Sequence, residues 1–292
     1  MSIAAQDPIL TISELRPKLH RYCARVVGSV VDGEDIVQES IVKALEALRR
    51  NSSIANLEGW LFRIAHNTSL DFLRQRSRQI NRTSSQEMDL IADSNSESVQ
   101  KDIAAASLHT FMFLPVAYRS TVILKDVLGY SVQEVCDITG MTLPSTKAAL
   151  HRGRTKLREI GSETLENRMP ALDQKARARL AYYVDRFNAR DFDAVRNLLA
   201  EDVHLEMVNK TRMRGKVEVG EYFTNYSRLK DWSCSLGRVD RRLAIVVRQP
   251  VTISSTPAYF ILLQWDGEQV VSIRDFVHAR YVTQSAEIIE SI

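Results

Sequence analysis

The stretch Ser131-Val132-Gln133-Glu134 sets the tightest limit on how this chain can fold. A serine followed three residues later by a glutamate has the form of a capping box, in which each side chain satisfies a backbone N–H of the other and a helix opens. At Thr139-Gly140 that helix stops, because glycine reaches the left-handed turn conformation without steric cost. Thr142 can then cap a second helix, with Pro144 tolerated in its first turn. A short helix, a glycine turn and a longer helix make a helix-turn-helix. On the second helix Leu150, Gly153 and Leu157 share one inward stripe, while Lys147, His151, Arg152 and Arg154 fall largely elsewhere. Those four could reach phosphates and base edges in a major groove, where arginine is the usual bidentate reader of guanine. The plainer alternative is a helical hairpin whose basic side is only solvated. The coincidence of capping box, turn and basic helix favours DNA binding, although by itself it does not separate one class of DNA-binding protein from another.

Charge distribution supports this. The formal net charge over 292 residues is only +3. Yet residues 63–82 hold Arg63, Arg74, Arg76, Arg78 and Arg82 against the single acid Asp71, and residues 147–158 hold Lys147, Arg152, Arg154, Lys156 and Arg158 against none. Between these islands lie Glu87, Asp89, Asp93, Glu97 and Asp102. Two basic islands across an acidic strait suggest two contacts with a phosphate backbone. Cys23, Cys136 and Cys234 stand far apart with no C-x-x-C pair, which argues against a disulfide scaffold or zinc site and fits a reducing cytosol. The N-terminus lacks a basic region followed by an apolar run, and no apolar run approaches 18 residues, so secretion, membrane spanning and a membrane partner are not expected.

At 45% hydrophobic and 26% charged residues the composition is globular, and the length implies two or three compact units. Residues 8–80 read as helices. Ile36, Val37, Ile41, Ala44, Leu45 and Leu48 form one buried stripe. A break at Asn51-Ser52-Ser53 precedes a second strong helix over 57–75. Residues 81–105 read as an acidic flexible linker and 106–160 as further helices. A second linker covers 161–171. From 172 to 284 come helices to about residue 200, then runs of β character at 203–208, 243–248, 258–265 and 270–277.

Asp32-Gly33-Glu34-Asp35-Ile36-Val37-Gln38-Glu39 resembles the D-A-E-D-L-V-Q-E signature of sigma region two. Trp60-Leu61-Phe62-Arg63-Ile64-Ala65-His66-Asn67, continued by Asp71 and Arg74, resembles the W-L-x-x-I-A-x-N-x-x-x-D-x-x-R signature that follows it. Leu114-Pro115, Arg119, Leu128-Gly129-Tyr130-Ser131, Glu134 and the stretch Lys147-Ala148-Ala149-Leu150-His151-Arg152-Gly153-Arg154 look like region four. The first half of the chain therefore resembles a bacterial RNA polymerase sigma factor of the extracytoplasmic-function type. The resemblance implies core RNA polymerase and promoter DNA as partners. It places Asp32, Glu34, Asp35, Gln38 and Glu39 on the surface that docks polymerase, with a dipole-favoured helix start as the plainer reading of Glu34 and Asp35. It places Trp60, Arg63, Asn67, Arg74 and Arg76, with the preceding loop at 51–59, on the minus-ten element, and Lys147, His151, Arg152 and Arg154 on the minus-thirty-five element. The residue chemistry agrees: capturing unstacked bases asks for an aromatic plane with amide and guanidinium donors. Trp60 reads equally as a half-buried packing residue. The same resemblance threads the acidic linker through the channel that nascent RNA later occupies.

The last third resembles the SnoaL-like, nuclear-transport-factor-two-like fold, a curved sheet wrapped by helices around a cone-shaped pocket. In enzymes of that fold a D-D-x-x-V-E-D-P segment supplies the catalytic aspartate; laid on Glu201-Asp202-Val203-His204-Leu205-Glu206-Met207-Val208, that position is Met207, which cannot abstract a proton. His204-x-Glu206 has the form of half a zinc deaminase motif, but no P-C-x-x-C accompanies it. The expected architecture is thus multidomain: two all-α sigma domains, then an α+β SnoaL-like domain with a regulatory role, no catalytic residues, no metal and no cofactor. A small ligand in its pocket and a separate anti-sigma protein are further partners the resemblance admits. A stand-alone helix-turn-helix regulator and an enzyme acting through the C-terminal domain stay open as alternatives.

Overall fold

In a computed structural model the described residues are 8–50, 54–81, 108–162, 173–228, 232–249 and 257–290. The acidic linker expected at 81–105, apart from its first residue, lies outside them, as does most of the second linker. The chain divides into two compact units, one ending at Glu166 and the other beginning at Asn167.

The first unit is helical: α1 (Pro8–Val27), α2 (Val30–Arg50), α3 (Leu57–Asn81), α4 (Leu108–Phe111), α5 (Val116–Val122) running into a π-turn (Ile123–Val127), α6 (Val132–Thr139) and α7 (Leu143–Ser162). The apolar stripe read from the sequence is the buried face of α2, with Ile36, Val37 and Ala44 inaccessible and Ile41, Leu45 and Leu48 packed against them. The two helical segments expected as separate domains share one hydrophobic core. Tyr22, Leu61, Phe62 and Ala65 from the first belong to the same cluster as Phe111, Ile123, Tyr130, Ile138 and Leu150 from the second. Gly33 stands where the resembled signature has alanine, and the packing explains it. A Cβ there would lie 2.6 Å from the Ala24 Cα and 2.7 Å from its nitrogen, so only glycine lets α2 cross α1 at this distance. Arg119 is buried and donates to the carbonyls of Val26 and Leu114, tying α5 to the end of α1.

The second unit carries α8 (Gln174–Asn188), α9 (Phe192–Asn197), β1 (Leu199–Met207), β2 (Thr211–Arg214), α10 (Lys216–Arg228), β3 (Ser233–Val239), β4 (Arg242–Arg248), β5 (Tyr259–Asp266), β6 (Gln269–Asp275), α11 (Arg280–Ser285) and β7 (Ile288–Glu290). They form a mixed seven-stranded sheet in the order β2-β1-β6-β5-β4-β3-β7. Only the β1–β6 pair is parallel; the remaining described pairs are antiparallel. The four expected β runs correspond to β1, β4, β5 and β6. Helix α8 covers β3 and β4, and α10 covers β1. Between helices and sheet the interior is filled by rings: Phe187 lies 5.7 Å from Tyr183, 5.1 Å from Tyr226 and 5.0 Å from Trp232, centroid to centroid.

Candidate nucleic-acid interface

Helix α3 presents the expected face. At about 100° per residue, Trp60, Arg63, Asn67, Asp71 and Arg74 fall on one side. Arg63, Asn67, Asp71 and Arg74 are exposed, while Leu61, Ala65 and Thr68 on the opposite side are buried. Trp60 is half-buried and packs against the core, so its ring is fixed at the margin of the face. Gly59 N–H donates to the Asn56 side chain at 2.9 Å, which caps the helix just before this face begins. Arg74 pairs with Asp71 at 3.0 Å across one turn. Arg76 departs from the expectation. It sits about 160° around the helix from Trp60, and its guanidinium points to α2, 3.7 Å from Asp32. Arg76 and Asp32 therefore tie α3 to α2, away from the 60–74 face.

The helix-turn-helix forms as the residues dictate. Ser131 accepts from Glu134 N–H while the Glu134 carboxylate accepts from Ser131 N–H, and Gly140 ends α6 at φ 73°. Ser145 N–H reaches the Thr142 hydroxyl at 3.4 Å to open α7. Leu150, Gly153 and Leu157 are all buried, and a Cβ on Gly153 would meet Val122 at 2.7 Å. Of the expected DNA-reading residues, Lys147 and Arg152 are exposed on α7 and His151 is half-exposed. Arg154 has a partner within the unit. Its Nε and Nη2 donate to both oxygens of Asp126 at 2.9 and 2.7 Å, and that carboxylate is wholly buried. The bidentate clamp makes Arg154 a strut between the π-turn and α7, while its side chain stays 30% exposed. Asp126 is a residue that the pattern along the chain does not reveal, because its partner lies 28 positions away.

The acidic patch divides. Asp35 and Glu39 are exposed, Asp32 and Gln38 partly so. Glu34 is fully buried and ion-paired with Arg16 of α1. It cannot form part of a docking surface; an unpaired buried carboxylate would be costly, and Arg16 compensates it. Glu39 pairs with Lys43 at 2.6 Å along the helix.

In the second unit, His204 is exposed, and Glu206 is held by Arg212 at 2.8 Å and Arg274 at 3.0 Å. Met207 lies in register with Asp275 on the neighbouring parallel strand. Asp275 is fully buried and accepts from Tyr222 at 2.6 Å, Tyr226 at 3.0 Å and the Val277 N–H at 2.9 Å. Burial pushes its carboxyl above the usual range, against the pull of those hydrogen bonds. The sequence reasoning missed this carboxyl, since nothing in a strand of alternating residues separates it from an edge aspartate. Among the described residues, no group of three or more His, Cys, Asp or Glu is arranged to hold a metal ion.

Comparison with known proteins agrees with this division. The sigma-70 region 2 family matches residues 11–79, sigma-70 region 4 matches 114–157, and the SnoaL-like domain matches 180–279. The ECF RNA polymerase sigma factor SigE of Mycolicibacterium smegmatis is 30% identical over 158 residues, 51% of this chain and 61% of that protein. SigG of Mycobacterium tuberculosis is 27% identical over 221 residues, 66% of this chain and 59% of that protein. The chain thus spans about 60% of the length of these two relatives. The crystal structure of the Mycobacterium tuberculosis extracytoplasmic function sigma factor SigJ is similar over 91% of this chain and 95% of that one, at 18% identity and a TM-score of 0.34. The chain thus matches sigma-70 region 2, sigma-70 region 4 and the SnoaL-like domain in that order, and its first half is similar to extracytoplasmic-function sigma factors.

Proposed function

We propose that this chain joins core RNA polymerase in the cytoplasm and directs it to promoters, with α7 reading the minus-thirty-five element and α3 capturing the melted minus-ten element. Lys147, His151 and Arg152 would contact the first, and Trp60, Arg63, Asn67 and Arg74 the second. Asp32, Asp35, Gln38 and Glu39 would meet polymerase. The observation that carries this reading is the 60–74 face: a ring fixed at its margin beside a row of exposed guanidinium and amide groups. A regulator that binds only duplex operators has no use for such a face, which favours the sigma reading over a stand-alone helix-turn-helix protein.

The C-terminal unit is proposed to modulate rather than catalyse. Met207 cannot serve as a base, and the nearby Asp275 already accepts three hydrogen bonds in an interior packed with rings. A small ligand or an anti-sigma protein acting on this unit belongs to the same reading. Run-off transcription with purified core polymerase and promoter DNA tests the whole. Specific initiation should appear with the full chain and drop at least tenfold in Trp60→Ala; absence of initiation on every promoter from a folded protein overturns it. Truncation after about residue 165 should change output; unchanged output sinks the modulatory role.

A further inference from the structure

Gly153 brings α5 and α7 side by side, and their closeness sets the direction of an arginine. A Cβ at Gly153 would stand 2.7 Å from the Val122 side chain and 3.3 Å from both the Cβ and the carbonyl oxygen of Tyr118. With no side chain at that position, α5 lies near enough to α7 for the Tyr118 hydroxyl to reach the residue before the glycine. Arg152 Nη1 donates to that hydroxyl at 3.2 Å, across 34 positions of sequence. Tyr118 is half-buried and packs against the core of the first unit, whereas Arg152 is exposed. A ring fixed by packing therefore holds a long side chain that would otherwise sample many rotamers.

The arginines on either side of Gly153 have different acceptors. Arg154 is ion-paired with the Asp126 carboxylate, so its charge is met within the unit. Arg152 donates to a hydroxyl, which carries no charge, so this bond orients the guanidinium and leaves its attraction for DNA intact. Orientation matters, because a bidentate contact with guanine needs paired donors aligned with the base edge. An arginine already held in one direction also loses less rotamer freedom on binding.

We propose that Tyr118 is a positioning residue for promoter specificity: its hydroxyl pre-orients Arg152 to read one guanine of the minus-thirty-five element. The inference rests on the proposed function of α7 and adds a residue outside α7 on which the selectivity of that helix depends. Tyr118 acts through Arg152 and not on the base itself.

The test is binding of the full chain, assembled with core polymerase, to minus-thirty-five duplexes in which each base pair is replaced in turn. Arg152→Ala identifies the position that Arg152 reads, because discrimination disappears there. Tyr118→Phe keeps the ring and its packing. It should reduce discrimination at that same position by about three- to tenfold, the worth of one hydrogen bond. Preference at the other positions should stay as in the parent, and so should the dependence of affinity on salt, since no charge is lost. In an Arg152→Ala background, Tyr118→Phe should change discrimination no further. A Tyr118→Phe complex that discriminates like the parent overturns the positioning role. Affinity lost equally for every duplex marks a structural role and overturns it too, as does discrimination that survives in Arg152→Ala. A parent complex with no preference for any base pair instead overturns the minus-thirty-five reading itself, and the role of Tyr118 falls with it.

Discussion

Arg154 shows how a residue of the right type at the right spacing can do something else. Its position on a basic helix puts it in a DNA-reading set, whereas the fold directs its guanidinium to a buried aspartate on the π-turn. The pair predicts two distinct signatures. Asp126→Ala leaves a partly buried guanidinium without its carboxylate and should destabilise the first unit by about 2–3 kcal/mol, read as a fall in Tm. Lys147→Ala and Arg152→Ala should leave Tm almost unchanged, because exposed charges contribute little to stability. Each should instead lower the slope of log affinity against log salt for a minus-thirty-five duplex, by about 0.9 for each phosphate it no longer neutralises. If the Asp126 variant melts like the parent, the strut is unimportant; if the two helix variants leave the salt slope unaltered, they are not at the DNA. Residue types and spacing in the sequence revealed the basic helix, but the long-range partners that divert Arg154, Glu34 and Arg76 only the fold shows.

Elements with strong periodicity or explicit caps were legible, and those whose identity depends on neighbours were not. Strand β4 announces itself through Leu243, Ile245 and Val247 with Ala244 and Val246, whereas β3, paired beside it, reads Ser-Cys-Ser-Leu-Gly-Arg-Val and has little intrinsic strand character. It becomes a strand because β4 and β7 flank it, and Gly237 fits there because a Cβ would stand 2.5 Å from Val246. The π-turn leaves no periodic trace either: the Leu128 N–H closes it on the Ile123 carbonyl, and the Tyr130 N–H follows to the Leu124 carbonyl. Helix propensity and packing make opposite predictions at Gly33. In an exposed helix interior, Gly→Ala would stabilise by about 1 kcal/mol. At Gly33 the added methyl meets the Ala24 backbone below 3 Å, and backbone cannot rotate away. Gly33→Ala should therefore destabilise the first unit by about 1–3 kcal/mol net. A stabilised Gly33→Ala in chemical denaturation would show that α1 and α2 can part without penalty.

On the scale of the molecule, the division into a helical first half and an α+β remainder was readable from periodicity, while the single core joining both sigma regions was not. Contacts between residues such as Phe62 and Tyr130, 68 positions apart, leave no periodic trace. That shared core also has a pH signature. His20 and His66 are both buried; the His20 Nε2 lies 2.9 Å from the Val30 carbonyl oxygen, and the His66 Nδ1 lies 2.7 Å from the Tyr22 hydroxyl. Burial lowers both to about 4 from an ordinary 6.5. Each is neutral in the folded unit at pH values where the unfolded chain begins to take up a proton. Stability from this source is therefore complete above about pH 6.5 and declines as pH falls from 6.5 toward 4, with a ceiling of about 3 kcal/mol per histidine. Below that window Glu58 adds a loss of the same sign, since Lys18 and Tyr130 overcome its burial and hold its carboxyl below the usual range. Melting the full chain between pH 7.5 and 4.5, followed through the helical signal of the first unit, should show Tm dropping steeply through the window. His20→Asn and His66→Gln combined should flatten the profile even if they lower its plateau, because neither replacement titrates. A double variant whose Tm falls as steeply as the parent's would place the acid sensitivity on other groups.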